Sequence, residues 1–348
     1  MQCLKSACRC KIGFMRIAIV KLSALGDIVH AMIVLQFIKK LDKKISIDWV
    51  VDRSYKELLE CNPDINEVHT LDIQKAKRKK SILAIIKELN KVRSLYRYDL
   101  VIDMQGLIKS AIISKLIPSI NTLGFDRFSA RERLASVFYN KTFNCSYETN
   151  VIERNLSLME YALGVSFKIK EIHNKVPFLF SNEQILKIPI TKPKKNILII
   201  PGASHDSKRY PIDKLAEISQ KIDANFFVIW GSHEEKILAN KIKDISPDVY
   251  ICDKLRLEYL IVLISKVDLV IGPDTGPTHI AWGLNVPSIT LFGPTPGYRN
   301  TFETSFNRII ESDSKVNPKK IDKDDYSIKS IDLQKILSMA TELLREPQ

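Results

Sequence analysis

Glycine is scarce in this chain: 12 of 348 residues. A chain this sparing should place glycine where the backbone needs freedom or where a ligand must come close. Neither GxxxxGK[ST] nor GxGxxG is present, which argues against ATP hydrolysis and dinucleotide redox chemistry of the common kinds. No apolar run approaches the roughly 20 residues that span a bilayer. Lys11 interrupts the basic start MQCLKSACRCKIGF before a signal-peptide core can form. Met15 opens the first strand, so residues 1–14 are expected to be an upstream extension. The cysteines Cys3, Cys8, Cys10, Cys61, Cys145 and Cys252 are scattered, and Cys8-Arg9-Cys10 has no second ligand pair. A zinc site is therefore not expected, and the usage suits a reducing cytoplasm. Without secretion, the sequons at Asn140, Asn144 and Asn155 carry no meaning.

Positive charge is abundant. The net charge of +13 calls for an anionic partner: a nucleic acid, a membrane surface or an acidic substrate. Much of it sits in one segment, at Lys75, Lys77, Arg78, Lys79, Lys80, Lys87, Lys91, Arg93 and Arg97, relieved only by Glu88. A solvated helix face is the plain explanation. A block so one-sided repels itself unless an anion approaches, which favours a docking surface. Only Tyr96 and Tyr98 stand near it, so a base-stacking platform for nucleic acid is poorly supported.

The order of elements is alternating. Strands are expected at 16–21, 45–51, 68–71, 100–103 and 120–125. Helices are expected from Asp27 to about 41, over 76–95, after 103, around 130–139 and over 151–163. The stretch 166–195 breaks the pattern and reads as a linker. A second alternating set follows, with strands at 196–200, 226–230, 250–252, 269–271 and 288–292, and a final helix at 333–344. The fold class is α/β: two Rossmann-like, parallel-sheet domains, 15–180 and 181–330, facing a cleft.

The most informative stretch is DLVIGPDTGPTHIAWGLNVPSITLFGPTPG, 268–297, which holds five of the glycines. It reads as strand, tight turn, helix, strand, with Asp274 and Thr275 as helix-capping types. Unpaired N–H groups at such a helix start suit a phosphate, which Gly276 would let in close, with His279 one turn on. The plain alternative is that Asp274 only caps the helix and His279 is half-buried packing. By the same logic Asp27, after Gly26, stands at a strand end near a helix N-terminus, where the dipole favours its ionised form by about 0.3–1 kcal/mol. It is a candidate general base, though Asp is also a common cap, and His30 reads as packing. Ser204, Lys208 and Glu234 follow other strand ends: Lys208 for a phosphate, Glu234 for ribose hydroxyls.

The stretches RIAIVKLSALGDIVHAM, DLVIDMQGLIKSA, RERLASVFYNK, WGSHEEK and GPDTGPTHIAWGLNVPSITLFGPT resemble the ADP-heptose:lipopolysaccharide heptosyltransferases, glycosyltransferase family 9, in order and spacing from Met15 on. DMQGLIKSA and RERLASVFYNK are most similar to the heptosyltransferase I branch; heptosyltransferase II or another family 9 sugar transferase is the alternative. The resemblance implies a GT-B fold with ADP-heptose as donor in the C-terminal domain. It also implies a Kdo-lipid A acceptor in the N-terminal domain, inversion at the anomeric carbon, and no required cofactor or metal. Carried over by position, Asp27 is the catalytic base. Ser204, Lys208, Glu234, Leu255, Asp274, Thr275, Gly276 and His279 bind donor. Lys77, Arg78, Lys80, Gln105 and Arg131 bind acceptor. Ala203-Ser204, Ala24 and Asn150 depart from the family's familiar Thr-Thr, Ser and His. The implied location is peripheral on the cytoplasmic face of the inner membrane, held by charge that salt releases, with no nucleic-acid partner. In such folds the last helix, 331–348, commonly returns to the first domain.

Overall fold

A computed structural model describes residues 15–78, 80–183, 188–190 and 193–345. The expected extension 1–14, with Cys3, Cys8 and Cys10, lies outside them, as do Lys79 and the side chain of Lys77.

The N-terminal unit runs β1 (Arg16–Val20), α1 (Leu25–Leu41), β2 (Ser46–Asp52), β3 (Glu67–Leu71), α2 (Ile73–Arg78), α3 (Ile82–Arg93), β4 (Tyr98–Asp103), α4 (Ile108–Leu116), β5 (Ser119–Phe125), β6 (Lys141–Phe143) and α5 (Val151–Leu163). The C-terminal unit runs β7 (Asn196–Ile199), α6 (Ile212–Lys221), β8 (Asn225–Val228), α7 (His233–Ile245), β9 (Tyr250–Ile251), α8 (Leu257–Lys266), β10 (Leu269–Pro273), α9 (Gly276–Gly283), β11 (Ser288–Phe292), α10 (Gly297–Asn300), β12 (Asn307–Glu311) and α11 (Leu333–Arg345). Each unit contains a parallel six-stranded sheet, ordered β3-β2-β1-β4-β5-β6 and β12-β11-β10-β7-β8-β9. Counted from its own first strand, each has the order 3-2-1-4-5-6. The order reverses between β1 and β4 and again between β7 and β10, and ligands of doubly wound sheets bind beyond the carboxyl ends there.

Alternation along the strands explains the layers. Ile17 and Ile19 of β1 face a core with α1 and α5, whereas Ala18 and Val20 face a smaller one with Val92 of α3 and Ile113 of α4. Such apolar-on-both-faces strands are what a sheet covered on two sides requires.

Three expectations change. The single basic helix over 76–95 is two helices. Lys80 takes a left-handed backbone (φ 50°), and Ser81 caps α3 by accepting from the Ala84 N–H at 3.2 Å. The last helix does not return to the first domain. Leu333, Ile336, Ala340 and Leu343 of α11 form an i, i+3, i+4 stripe that packs with Ile197, Ile271 and Leu291 of its own sheet. The helix lies beside α6, on the face of that sheet where β10 and β11 present these side chains. Finally, β6 and β12, for which no strand was expected, complete their sheets.

The amino-terminal edge of the first sheet carries a buried acid. Asp48 accepts from Tyr98 Oη at 2.6 Å and Asn66 Nδ2 at 2.9 Å, with His69 Nε2 at 3.5 Å. Burial raises its pKa, but the hydrogen bonds from His69, Tyr98 and Asn66 outweigh that and bring it from 3.8 to about 2. A carboxylate whose folded pKa is depressed stabilises the fold above its unfolded value and loses that contribution as pH falls through the folded one. Asp48→Asn is therefore expected to lower stability at pH 7 by about 2 kcal/mol in urea melts. The gap to the wild type should narrow between about pH 4 and pH 2; a gap independent of pH would contradict the assignment.

Candidate active site

The carboxyl ends of both sheets open onto one cleft of about 670 Å³. From the first domain it is bordered by Lys21, Ala24, Asp27 and Gln105, and from the second by Ser204, Lys208, Asp274 and Thr275. These are the loops that follow β1, β4, β7 and β10, the strands that flank the two reversal points.

On the N-terminal wall, Asp103 folds the turn after β4 by accepting from the N–H of Gln105 at 2.7 Å and of Gly106 at 3.1 Å. The Gln105 side chain then clamps the loop after β1. Its Oε1 accepts from Leu22 N at 2.7 Å and Ser23 N at 3.1 Å, and its Nε2 donates to Ser23 O at 2.6 Å. Asp27 lies in the first turn of α1 and accepts from Ala24 N at 3.2 Å. One carboxylate oxygen is thus a cap. Lys21, which looks like an ordinary strand end in the sequence, is buried here and donates to Met104 O at 3.0 Å. Burial pushes its pKa below the ordinary lysine value, and the charges of Asp27 and Asp103 pull it up. An ammonium held near Asp27 has no one-dimensional signature.

The C-terminal wall centres on Asp274. Its buried carboxylate accepts from Lys208 Nζ at 2.8 Å and Thr295 Oγ1 at 2.9 Å, and pairs with His279 Nε2 at 3.0 Å. Burial alone would raise its pKa; the Lys208 charge and the His279 contact outweigh that and hold it far below the usual carboxylate range. Asp274 is therefore ionised and does not act as a simple helix cap. The start of α9 is tied instead by Thr278 Oγ1, which accepts from Thr275 N at 3.3 Å and donates to Thr275 O at 2.7 Å.

The two helix starts meet. A Cβ on Gly26 would lie 2.3 Å from the ring of His279, and one on Gly276 would lie 2.2 Å from Leu25 Cδ2. His30, buried beneath, sets its ring edge-on to His279 with centroids 4.3 Å apart. Burial and the neighbouring His279 push its pKa well below 6.5. Close approach accounts for Gly276, and the partner in this structure is Leu25. None of the five glycines in 268–297 has a positive φ.

Further links cross between the domains. Asn150 Nδ2 donates to Tyr298 O at 2.8 Å and Thr301 O at 2.6 Å, while its Oδ1 caps α5. Arg299 donates to Tyr147 O at 2.7 Å and lies over that ring. Arg299, Arg154, Arg131 and Lys319 give the far end of the cleft a positive border.

Of the residues singled out in the sequence, Asp27, Gln105, Arg131, Ser204, Lys208, Asp274, Thr275, Gly276 and His279 come together at the cleft. Four do not. Glu234 is exposed and pairs with Arg209 at 2.6 Å; its neighbour Glu235 borders the cleft but caps α7 through Gly231 N and Ser232 N. Leu255 packs against the large core, and Arg78 and Lys80 lie exposed outside the cleft. Lys21, Arg154 and Arg299 were missed.

Two facing doubly wound domains, with a helix start from each at a basic cleft, define a glycosyltransferase of the GT-B architecture. The chain belongs to glycosyltransferase family 9 (heptosyltransferase), whose family model matches residues 82–323. It is 41% identical over 344 residues to the lipopolysaccharide heptosyltransferase 1 of Campylobacter coli, covering 94% of this chain and 99% of that one. Its fold is similar to a family 9 glycosyltransferase of Veillonella parvula (TM-score 0.80, 19% identity, covering 97% and 99% of the two chains). It is also similar to the E. coli heptosyltransferase WaaC with ADP-2-deoxy-2-fluoro heptose (TM-score 0.74, 23% identity, 94% and 99%).

The glycine contacts make a sharp comparison. Gly26→Ala drives a Cβ into a ring held by Asp274 and wedged against His30, and is expected to lower stability by about 1–3 kcal/mol. Gly276→Ala meets Leu25 from Cδ2 at 2.2 Å to Cβ at 3.0 Å. This apolar side chain is not held by hydrogen bonds as the His279 ring is, and the substitution should cost less. Thermal melts of the two variants side by side check the order; the reverse order would mean that α1 and α9 do not meet as described.

Proposed function

We propose that this heptosyltransferase moves heptose from ADP-heptose to a Kdo hydroxyl of Kdo-lipid A, inverting the anomeric configuration in one displacement. The observation that carries this is the convergence of Asp27 and the Lys208–Asp274 pair on one cleft, each at the end of its own sheet. The names of the relatives, one of them bound to an ADP-heptose analogue, support the donor.

Asp27 accepts the proton of the attacking hydroxyl through the carboxylate oxygen that does not cap α1. Assistance of this kind is worth about 10²–10⁴-fold. The diphosphate leaves towards the second domain, where Lys208 offers two further N–H donors beyond the one given to Asp274. The N–H of Gly276, at the positive end of α9, adds a dipole to that charge. Asp274 acts through others: it holds Lys208 and His279 in place and stays ionised while doing so. Gln105 is likewise a positioning residue, since its amide is spent on the loop that presents Asp27. Arg131, Arg154 and Arg299 supply positive charge for the Kdo carboxylate. The charge available to the leaving group comes from the chain itself, and the proposal invokes no cofactor or metal ion. Among the described residues no helix is long and apolar enough to cross a membrane. With an acceptor anchored in lipid, the reading places the enzyme on the cytoplasmic face of the inner membrane as a peripheral protein.

ADP release with product mass, from ADP-heptose and Kdo-lipid A, tests the reaction; release with the gain of one heptose is the expected result. Transfer only to an acceptor that already carries heptose would favour heptosyltransferase II. Asp27→Asn keeps an oxygen for Ala24 N but is not a base. It is expected to lower kcat by about 10²–10⁴-fold with ADP affinity unchanged, and turnover within tenfold of wild type would remove Asp27 from the role.

A further inference from the structure

The charge on the first domain is accompanied by large apolar residues that no described residue covers. Ile82 and Leu83 at the start of α3, Phe128 after β5, and Leu134 and Val137 in the 3-10 turn 133–138 are 65–80% exposed. In α3 the division is sharp. Val92 and Leu89 of its second half pack into the small core, while Ile82, Leu83 and Ile86 of the first half point outward on one side. In the turn, Ala135 is buried against the domain and its neighbours on both sides are not.

The two groups are linked through α4, which packs against both α3 and the turn 133–138. Both groups also lie towards the carboxyl edge of the sheet: α3 begins soon after β3 ends, and Phe128 stands three residues past β5. That is the edge at which the cleft opens, bordered by Phe125, Ser129 and Arg131.

Exposed cations surround them: Arg78, Lys80 and Lys87 by α3, and Arg127, Arg131 and Arg133 by the turn. The segments 78–87 and 127–137 contain one acid, Glu132, and it is occupied in accepting from Ile108 N at 2.7 Å. A surface that is both apolar and positively charged, its cations outnumbering its one acid, complements the headgroup region of an anionic bilayer. There cations meet lipid phosphates while apolar side chains enter the acyl boundary.

We propose that this face docks on an anionic phospholipid bilayer, with Ile82, Leu83, Phe128, Leu134 and Val137 inserted at its surface and the cleft mouth held against the headgroups. The proposal rests on the reading that the acceptor is anchored in lipid. It differs from attachment by charge alone in one respect: salt releases only part of the binding.

Flotation of the purified full chain, with vesicles of neutral phosphatidylcholine and with vesicles containing about 30% phosphatidylglycerol, tests it. The wild type should float with the anionic vesicles and not the neutral ones, and a residue of binding should persist at about 0.5 M salt. Ile82→Ser with Leu83→Ser should lower the partition coefficient about tenfold or more and abolish the salt-resistant part. Leu134→Ser with Val137→Ser should act in the same direction. ADP release with a detergent-dispersed acceptor should stay at the wild-type level in both, since none of the four residues borders the cleft. Partitioning of both double variants like the wild type would overturn the proposal. A dimer that the first pair abolishes, with flotation unchanged, would also overturn it by assigning the patch to self-association. If the wild type floats as expected but transfers no heptose, the function falls and the docking surface stands.

Discussion

The crossing of α1 and α9 is the constraint on which the cleft depends. Each helix starts at the carboxyl end of a strand beside its sheet's reversal point, and each start must approach the other closely for Asp27 and Lys208 to share a cavity. Two glycines permit the approach, with Leu25 over Gly276 and the His279 ring over Gly26. That ring is not free to swing away, because Asp274 holds its Nε2 and His30 stands against its plane. The same carboxylate holds Lys208. One buried carboxylate therefore fixes the wall of the second domain and, through His279, bears on that of the first.

Burying that carboxylate is affordable only because it is fully engaged. An isolated charge so far from water would cost several kcal/mol and would take up a proton instead. Lys208 supplies the opposite charge, and Thr295 and His279 fill further positions on its oxygens. The N-terminal wall follows a related logic with different parts. There the amide of Gln105, held by the turn that Asp103 organises, satisfies the backbone groups of the β1–α1 loop and so sets where α1 begins. In both walls a polar side chain engaged within the protein decides where a charged group at the cleft stands.

The surface beyond the cleft is organised by the same sheet. Helices α3 and α4 cover one face and α1 and α5 the other, and the basic, partly apolar start of α3 lies towards the carboxyl edge of the sheet, the edge at which the cleft opens. Links through Asn150 and Arg299 tie that domain to its partner.

Periodicity and turn chemistry suffice to locate most strands and helices, because an apolar run with a glycine or proline stop is a local signal. The same holds for the candidate groups that stand directly after strands: Asp27, Lys208, Asp274 and Thr275 could be named from position alone. Tertiary structure decided what each carboxylate does. Asp274 looks like a cap in one dimension and is an ion-pair hub in three, since its partners Lys208 and Thr295 are 66 and 21 residues away. Glu234 and Glu235 are equivalent in sequence, and only the helix start they share turns one outward to Arg209 and the other inward to cap. Lys21, Arg154 and Arg299 were invisible because a basic residue in a strand or helix carries no sign of what will fold over it. The last helix was misplaced for a similar reason: its apolar stripe shows that it packs, and only the folded sheet, through β10, β11 and α6, shows where.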